Sequence, residues 1–381
     1  MKSGWAIKKL GEVCEEVKDR TSSIGVVLSA YITTDNMLKD CAGVCEAENL
    51  PPKVTSLVKF RKGDVLLSNI RPYLKKVWLA DRDGGASSDV IVFRACSKEM
   101  YPRYIWQALA RDEFFNYSML NVSGTKMPRG KREWIKQFEI PIPPLPEQKR
   151  IVAKIDAAFE KIDKLKANAE KNLANAKELF QSALDEAMRP KKGWVEKRLG
   201  EVGPVCMCKR ILKSETNESG GVPFYKIGTF GKTPNAYISE ETYRRYRELY
   251  KFPRKGEILI SAAGTIGRTV VYDGEPAYFQ DSNIVWIAND ETKVSNAYLQ
   301  WYYKTSPWCV TKGATIPRLY NDNITSAAIA IPPIAEQRQI VKRLDFLAEK
   351  VKLLEQHYTR QIADCAEMRQ AVLREAFEGR L

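Results

Sequence analysis

The segment Ser68-Asn69-Ile70-Arg71 follows the apolar run Val65-Leu66-Leu67, and its polar side chains are suited to binding the edges of nucleic-acid bases. Asparagine can make two hydrogen bonds to adenine, and arginine can make two to guanine. A similar segment at 261–268 is rich in small residues, which allow the backbone to approach a phosphate closely. The two segments provide six candidate DNA-contacting residues: Ser68, Asn69, Arg71, Ser261, Thr265 and Arg268.

Basic residues near these segments are candidates for contacts with phosphate groups. The formal net charge is +14 and the pI is about 9.2, which favours a polyanionic partner. Each residue taken alone could instead be a solvated surface charge, so the prediction depends on the whole set. The candidates are Lys75, Lys76, Lys126 and Arg129 in the first half of the chain, and Lys226, Lys232, Lys312 and Arg318 in the second.

The motifs of catalytic nucleotide chemistry are missing. An amino-methyltransferase needs an Asn/Asp-Pro-Pro-aromatic motif, but Pro143-Pro144 and Pro332-Pro333 have other flanking residues. The segment from Gly228 to Lys232 lacks the spacing of a phosphate-binding loop, and we interpret it as a turn. The chain has a single histidine, His357, which is too few for a metal site built from several histidines and gives little support for a hydrolase triad. We therefore predict a non-catalytic chain that needs no cofactor.

Metal sites have little support in the sequence. The close cysteine pairs at 41/45 and 206/208 lack the Cys-x2-Cys spacing of a structural zinc site. We expect reduced, partly buried thiols and no bound metal. A magnesium-dependent nuclease remains an alternative, although Asp64 lies in a Lys-Gly-Asp turn, where a structural role is the default. Its candidate ligands would be Asp64, Asp89 and Asp281.

The chain contains an internal repeat. Trp194 follows Trp5 by 189 positions, and Ile331-Pro332-Pro333 follows Ile142-Pro143-Pro144 by the same interval. In the middle of each copy the interval is 193, as between Lys62 and Lys255. A period of this length indicates a duplicated domain. Identity is strong at the ends of each copy and weak in the middle, which predicts two similar frames that carry two different surfaces.

Each copy ends in a long helical pattern. Apolar residues are spaced three and four apart through 151–187 and again through 340–376, as in a coiled-coil seam. The two stripes most simply bury each other as an antiparallel pair. The alternative is two separate helices, each docked on its own globular unit. Arg369 interrupts the second stripe, and we expect Met368 to fill the gap.

The remaining segments are predicted to be globular and of mixed α/β class. Short β-rich runs alternate with turn signals, and helical patterns occur at 104–117 and 297–303. Each globular segment carries a net charge of +6, whereas each helical segment carries +1. The globular segments are therefore the candidate nucleic-acid readers and the helices the candidate scaffold. The predicted boundaries are 1–146, 147–189, 190–335 and 336–381.

Nothing in the sequence predicts a membrane protein. No apolar run approaches the roughly 20 residues that span a bilayer. The first residues contain no apolar segment typical of a signal peptide. We expect a cytoplasmic protein with no membrane partner.

Several motifs occur twice and in the same order. The segments 142–152 and 331–341 are similar to the helix start that follows a target-recognition domain, and 194–201 is similar to the start of such a domain. The segments 256–261 and 313–318 are similar to its interior. Together they resemble the specificity subunits of type I restriction-modification systems, and the resemblance covers the whole chain.

This resemblance implies a fold and a function. Two target-recognition domains would be joined by two long antiparallel helices, with an internal pseudo-two-fold duplication. Each domain would read one half of an asymmetric double-stranded DNA site, and helix length would set the gap between the halves. The partners would be two methyltransferase (HsdM-type) subunits, which modify adenine, and restriction/translocase (HsdR-type) subunits. A coiled-coil scaffold that binds only protein is the alternative, which the charge of the globular segments disfavours.

Overall fold

The computed structural model describes residues 4–50, 55–305, 308 and 318–381. It divides into two compact units. The first contains Met1–Lys171 with Tyr358–Leu381, and the second contains Asn172–His357. Within the described residues, no helix is both long enough and apolar enough to cross a membrane.

The described residues of the first unit contain twelve strands and four short helices. The strands are β1 (Ala6–Lys9), β2 (Cys14–Glu16), β3 (Arg20–Ser22), β4 (Tyr31–Ile32), β5 (Ser56–Phe60), β6 (Val65–Ser68), β7 (Val77–Leu79), β8 (Gly84–Ala86), β9 (Val90–Ala95), β10 (Val122–Ser123), β11 (Arg129–Gly130) and β12 (Glu139–Ile142). The short helices are α1 (Leu10–Val13), α2 (Pro102–Leu109), α3 (Asp112–Met119) and α4 (Arg132–Ile135).

Two four-stranded sheets form the centre of the first unit, in the orders β2-β9-β6-β7 and β3-β5-β8-β4. Strands β6 and β9 are continuous apolar runs because both of their faces are covered. Val65 and Ile91 pack into the core that contains α2 and α3. Leu66 and Val92 pack into a separate cluster on the opposite face. This alternation follows from the two-residue period of a strand.

The second unit repeats much of this arrangement. Its strands are β13 (Val195–Arg198), β14 (Val205–Cys206), β15 (Val222–Tyr225), β16 (Tyr237–Ile238), β17 (Ile258–Ser261), β18 (Thr269–Val271), β19 (Tyr278–Phe279), β20 (Ile284–Ile287) and β21 (Ala328–Ile331). Its short helices are α6 (Leu199–Val202), α7 (Glu240–Leu249), α8 (Asn296–Lys304) and α9 (Asn321–Thr325). The sheet β14-β20-β17-β18 matches the order β2-β9-β6-β7, and the second sheet has three strands, β16-β15-β19.

Two long helices are shared between the units: α5 (Leu145–Met188) and α10 (Ile334–Phe377). In the first unit, Ile151 and Ile155 of α5 share a core with Leu373 and Phe377 of α10. In the second unit, the opposite ends meet, since Leu184 and Ala187 of α5 lie in one cluster with Ile340 and Leu344 of α10. The helices therefore run antiparallel in each unit, as the apolar stripes predict.

The seam departs from the predicted stripe at particular residues. Leu165 and Leu354 are exposed, although both lie on the apolar stripe. The expectation that Met368 fills the gap at Arg369 was wrong, because Met368 is exposed. Arg369 itself lies over the Phe159 ring, 3.9 Å from its centroid, and donates to Asp163 across the seam. The aliphatic stem of arginine lets it occupy such a position while its charge stays paired.

The predicted helix at 104–117 is two helices. Arg111 is extended between α2 and α3, with ψ at 146°. The side chain of Gln370 accepts a hydrogen bond from the Asp112 N–H at 2.9 Å and donates to the Ala110 carbonyl at 3.2 Å. The Gln370 side chain on α10 thus forms hydrogen bonds with backbone groups that have no helical partner where α2 ends and α3 begins. The second copy has a single helix, α8, where one was predicted.

Candidate nucleic-acid interface

The candidate residues of the first unit meet where β6 ends. The Arg71 N–H donates to the Pro128 carbonyl at 2.7 Å, and the Gly130 N–H donates to the Asn69 carbonyl at 3.1 Å. These bonds attach the loop after β6 to the hairpin formed by β10 and β11. Lys126 is exposed in the turn of this hairpin, and Arg129 is exposed on its second strand. Fold contacts therefore bring together segments almost 60 positions apart.

Two residues of the loop after β6 have a left-handed backbone: Arg71, with φ at +50°, and Lys75, with φ at +52°. Arg71 is exposed, and its guanidinium has no hydrogen bond or ion pair with the described residues. Lys75 forms an ion pair with Asp112 at 2.6 Å. Arg71 is therefore the better placed of the two to meet a ligand.

Lys76 and Arg129 have partners within the first unit. The Lys76 ammonium donates to the Thr34 carbonyl at 2.5 Å. Burial lowers the pKa of Lys76, the nearby Asp35 carboxylate opposes this effect, and the positive charges of Lys39 and Arg71 act in the same direction as burial. Arg129 lies 3.5 Å from Asp89, and both side chains are partly exposed. An accumulation of positive charge beside Lys76 and Arg71 suits an anionic ligand.

Ser68 and Asn69 are buried at the end of β6. The Ser68 hydroxyl donates to the Ile70 carbonyl at 3.1 Å, which shapes the turn. The Asn69 Oδ1 is buried and has no hydrogen-bond partner in the described part of the chain. An unsatisfied buried acceptor is uncommon and marks a place where the local structure can change when a ligand binds.

The equivalent loop of the second unit follows β17. The Ser261 hydroxyl is buried, donates to the Thr265 carbonyl at 2.5 Å and accepts from the Arg268 N–H at 2.9 Å. The Arg268 side chain donates to the Phe230 carbonyl, and the Arg318 side chain donates to the Ser282 carbonyl, each at 3.0 Å. Lys312 lies outside the residues that the structure describes.

A groove of about 220 Å³ lies beside this loop and contains Lys232, Thr265 and Arg268 together with Gly264. Residues 227–231 form turns, as predicted for this glycine-containing segment. Lys226 lines a neighbouring groove of about 360 Å³. The sequence analysis considered Asp281 of that second groove only as a metal ligand, and it missed four others, although Gln-Asp-Ser-Asn directly after the strand Tyr278–Phe279 is a detectable polar signal: Arg210, Lys213, Gln280 and Asn283.

The acidic residues of the magnesium alternative are separately engaged with arginines. Asp64 is buried and receives two hydrogen bonds from Arg94, at 2.9 and 2.7 Å. Asp281 pairs with Arg210 at 2.8 Å, and Asp89 lies beside Arg129. In the described part of the chain, no group of three or more histidine, cysteine, aspartate or glutamate side chains could hold a metal ion. These arrangements give the magnesium alternative no support.

The two loop regions share a backbone frame. An isolated bridge joins Ile70 to Arg129 in the first unit, and another joins Ala263 to Arg318 in the second. The Leu319 N–H donates to the Ala262 carbonyl at 2.8 Å, as Gly130 does to Asn69. A sequence model of the type I restriction modification DNA specificity domain matches the chain twice, at residues 2–174 and 191–362. The chain belongs to this family.

Relatives within this family are similar over part of their length. A putative type I restriction enzyme specificity subunit of Haemophilus influenzae, S.HindORF215P, is 46% identical over 247 residues, which cover 64% of this chain and 63% of the relative. The EcoKI specificity subunit of Escherichia coli K12 is 25% identical over 273 residues, covering 64% and 58%. The aligned part of this chain thus spans less than two thirds of each of these two relatives.

Solved structures are similar over nearly the whole chain. A chain from a study of complex assembly and conformational transition of the type I R-M system has a TM-score of 0.82 at 25% identity, with 100% of this chain and 99% of that chain covered. The HsdS subunit of Thermoanaerobacter tengcongensis has a TM-score of 0.59 at 25% identity, covering 100% and 98%. The family and the mixed α/β fold expected from the sequence are thereby confirmed.

Proposed function

We propose that this chain is the sequence-specific DNA-binding subunit of a type I restriction-modification complex. It reads an asymmetric, two-part DNA site and directs adenine methylation and restriction by partner subunits, without a catalytic site or cofactor of its own. The observation that carries this proposal is the repeated loop frame. The same backbone bridge and the same hydrogen bond, from Gly130 to Asn69 and from Leu319 to Ala262, occur after β6 and after β17, in both copies of the family's domain.

Different side chains at equivalent positions of the frame support two unlike half-sites. Asn69 and Arg71 of the first copy correspond to Ala262 and Gly264 of the second, at an interval of 193. Two identical half-sites would require no such differences. The alternative, a scaffold that binds only protein, gives no reason for them.

The candidate residues divide into two roles under this proposal. Arg71, whose exposed guanidinium has no partner among the described residues, contacts a base edge. Ser68 and Ser261 hold their loops in shape through hydroxyl bonds, and the buried Asn69 becomes a base contact only if the loop rearranges on DNA. The other candidates contact phosphates: Lys75, Lys76, Lys126, Arg129, Lys226, Lys232, Thr265, Arg268, Lys312 and Arg318.

The proposed partners follow from family membership and from the duplication. Two methyltransferase subunits bind one chain, one to each copy, because each copy offers an equivalent surface. Restriction/translocase subunits complete the complex. A one-to-one complex of this chain with its methyltransferase, measured by light scattering, would contradict this stoichiometry. We propose that assembly and DNA modification take place in the cytoplasm.

Two experiments test the proposed function. The purified chain should bind double-stranded DNA weakly, lose affinity steeply as salt rises, and neither methylate nor cleave it. When it is co-expressed with its cognate methyltransferase, methylome sequencing should return one two-part adenine-methylation motif. Methyl transfer by the isolated chain would contradict the non-catalytic role. If the chain assembles with a methyltransferase but binds no DNA in a gel-shift assay, the scaffold alternative is favoured.

A further inference from the structure

A polar groove of about 360 Å³ lies in the second unit. The loop between β19 and β20 lines it with Gln280, Asp281 and Asn283. The basic residues Arg210, Lys213 and Lys226 also line it, and the groove opens to solvent. Three basic side chains against one carboxylate give it a net positive charge.

The orientation of Gln280 is fixed by one half of its amide group. Its Oε1 accepts a hydrogen bond from the Ile227 N–H at 2.8 Å. Its backbone N–H donates to the Tyr225 carbonyl at 3.0 Å, which anchors the start of the loop. The Nε2 has no hydrogen-bond partner among the described residues. Gln280 therefore presents a hydrogen-bond donor to the groove, while its acceptor is already occupied.

Arg210 is held beside Gln280 by an ion pair. Its Nε donates to Asp281 at 2.8 Å, and the Asp281 side chain is only 17% exposed, whereas that of Arg210 is 68% exposed. The two terminal nitrogens of the guanidinium have no partner in the described part of the chain. The Asp281 carboxylate thus orients the guanidinium without occupying the donors at its end.

The first unit places different groups in the equivalent loop. Ser87 corresponds to Gln280, and Asp89, which corresponds to Ser282, lies beside Arg129. Conversely, the second unit has Gly264 where the first has Arg71. In the first copy, the hydrogen-bond donor without a described partner is Arg71, in the loop after β6. In the second copy it is Gln280, in the loop before β20.

We propose that Gln280 and Arg210 form a base-reading subsite for the second half-site, and that they recognise a guanine. In the major groove, guanine presents two acceptors, N7 and O6, and both Gln280 and Arg210 offer donors there. This inference rests on the proposed function, because it assigns one position within the DNA site that the chain reads. It also predicts a G·C pair in the half-site recognised by the second unit.

The test is Gln280→Glu, with methylome sequencing of cells that express each variant with the cognate methyltransferase. Glutamate keeps an acceptor for the Ile227 N–H but replaces the free donor with an acceptor. We expect methylation of the wild-type motif to fall by roughly tenfold or more, with a changed base preference at one G·C position. The other half-site and the gap should stay unchanged. The matched control is Gln356→Glu, the same change at an exposed position of α10, which should leave the motif intact.

A second variant separates loss of the subsite from loss of the fold. Arg210→Ala removes a mostly exposed side chain but also the partner of Asp281, so its melting temperature should lie within roughly 4 °C of that of the wild type. It should weaken preference at the same position or its neighbour. An unchanged motif and rate in Gln280→Glu, or a second half-site without any G·C pair, would overturn the subsite while leaving the proposed function intact. A wild-type complex that methylates no two-part motif would overturn the proposed function and the subsite together.

Discussion

Arg71 is an arginine in a backbone conformation that favours glycine. Its φ of +50° is left-handed, and the equivalent residue of the second copy is Gly264, with φ at +67°. A left-handed non-glycine residue costs about 1 kcal/mol or more. Since the Arg71 side chain has no bond to the described residues, the fold gains no contact there that offsets this cost. Under the proposed function, this side chain serves DNA recognition and not folding.

Arg71→Gly should therefore separate stability from function. We expect the free energy of unfolding to be unchanged or raised by up to about 1 kcal/mol. Discrimination at one position of one half-site should be lost, as also in Arg71→Ala. Thermal melting and methylome sequencing measure the two effects. A lower melting temperature in Arg71→Gly would contradict the strain argument.

Lys126 provides the contrast, since it is exposed in the turn of the β10–β11 hairpin. Lys126→Ala should weaken binding to all DNA sequences alike and flatten the dependence of affinity on salt. Gel-shift titrations at several salt concentrations measure this. If Arg71→Ala behaves in the same way as Lys126→Ala, Arg71 contacts a phosphate and not a base.

Glu257 corresponds to Asp64, but among the described residues it forms no ion pair like that of Asp64 with Arg94. Burial raises the pKa of Glu257, although backbone N–H groups, including that of Arg254 at 2.6 Å, oppose this effect. Because the folded state holds this proton more tightly than the unfolded state, its contribution to stability is greatest at low pH. That contribution is lost as pH rises through the folded-state pKa.

Glu257→Gln should consequently gain stability relative to the wild type as pH rises from the ordinary glutamate pKa of about 4.3 towards neutrality. The measurement is the difference in melting temperature between variant and wild type across this range. Asp64→Asn is the control, and it should be less stable than the wild type near neutral pH, because Arg94 would lose its charged partner. If the melting temperature of Glu257→Gln falls relative to that of the wild type as pH rises, the raised pKa of Glu257 is contradicted.

At the scale of elements, one glutamine attaches each long helix to its globular unit. The Gln148 side chain accepts from the Tyr101 N–H at 2.9 Å and donates to the Glu99 and Pro143 carbonyls at 3.0 and 2.8 Å. Gln337 makes the same three bonds in the second unit, to backbone groups of Ser295, Lys293 and Pro332. This explains why a glutamine recurs at the same position after the Pro-Pro motif in both copies.

Gln148→Leu should lower the free energy of unfolding by about 3 kcal/mol, because it leaves buried backbone groups without partners. Gln337→Leu should have a comparable effect in the second unit. Urea denaturation followed by tryptophan fluorescence measures both. Gln356→Leu, on the exposed surface of α10, should change the stability by less than about 0.5 kcal/mol. If all three substitutions change the stability equally, Gln148 and Gln337 have no specific role in attaching the helices.

At the scale of the whole molecule, α5 and α10 continue from one unit into the other. The division between the units falls after Lys171 in α5 and after His357 in α10. Under the proposed function, the length of these helices sets the gap between the half-sites. Deleting four residues, roughly one helical turn, within 167–177 and again within 356–366 should shorten the gap and keep both half-sites. If methylation mapping finds an unchanged gap or altered half-sites, helix length does not set the gap.

The sequence by itself determined the repeated architecture. Identity at an interval of 189 residues, alternating apolar strands and the long stripes of 151–187 and 340–376 are properties of chain order, and the elements they predict are present. Local periodicity is sufficient for this because a strand or helix exposes its faces at a fixed spacing.

Only the tertiary structure decided which candidate side chains are exposed and available to bind a ligand. Lys75 is paired with Asp112 and Asn69 is buried, whereas Gln280 and Arg210, 70 positions apart, share one groove that the sequence analysis missed. The exposure and the hydrogen-bond partners of a polar side chain depend on the distant segments that pack beside it. Short polar segments in loops have no periodicity that reports those neighbours, so their role is determined only when the fold brings the segments together.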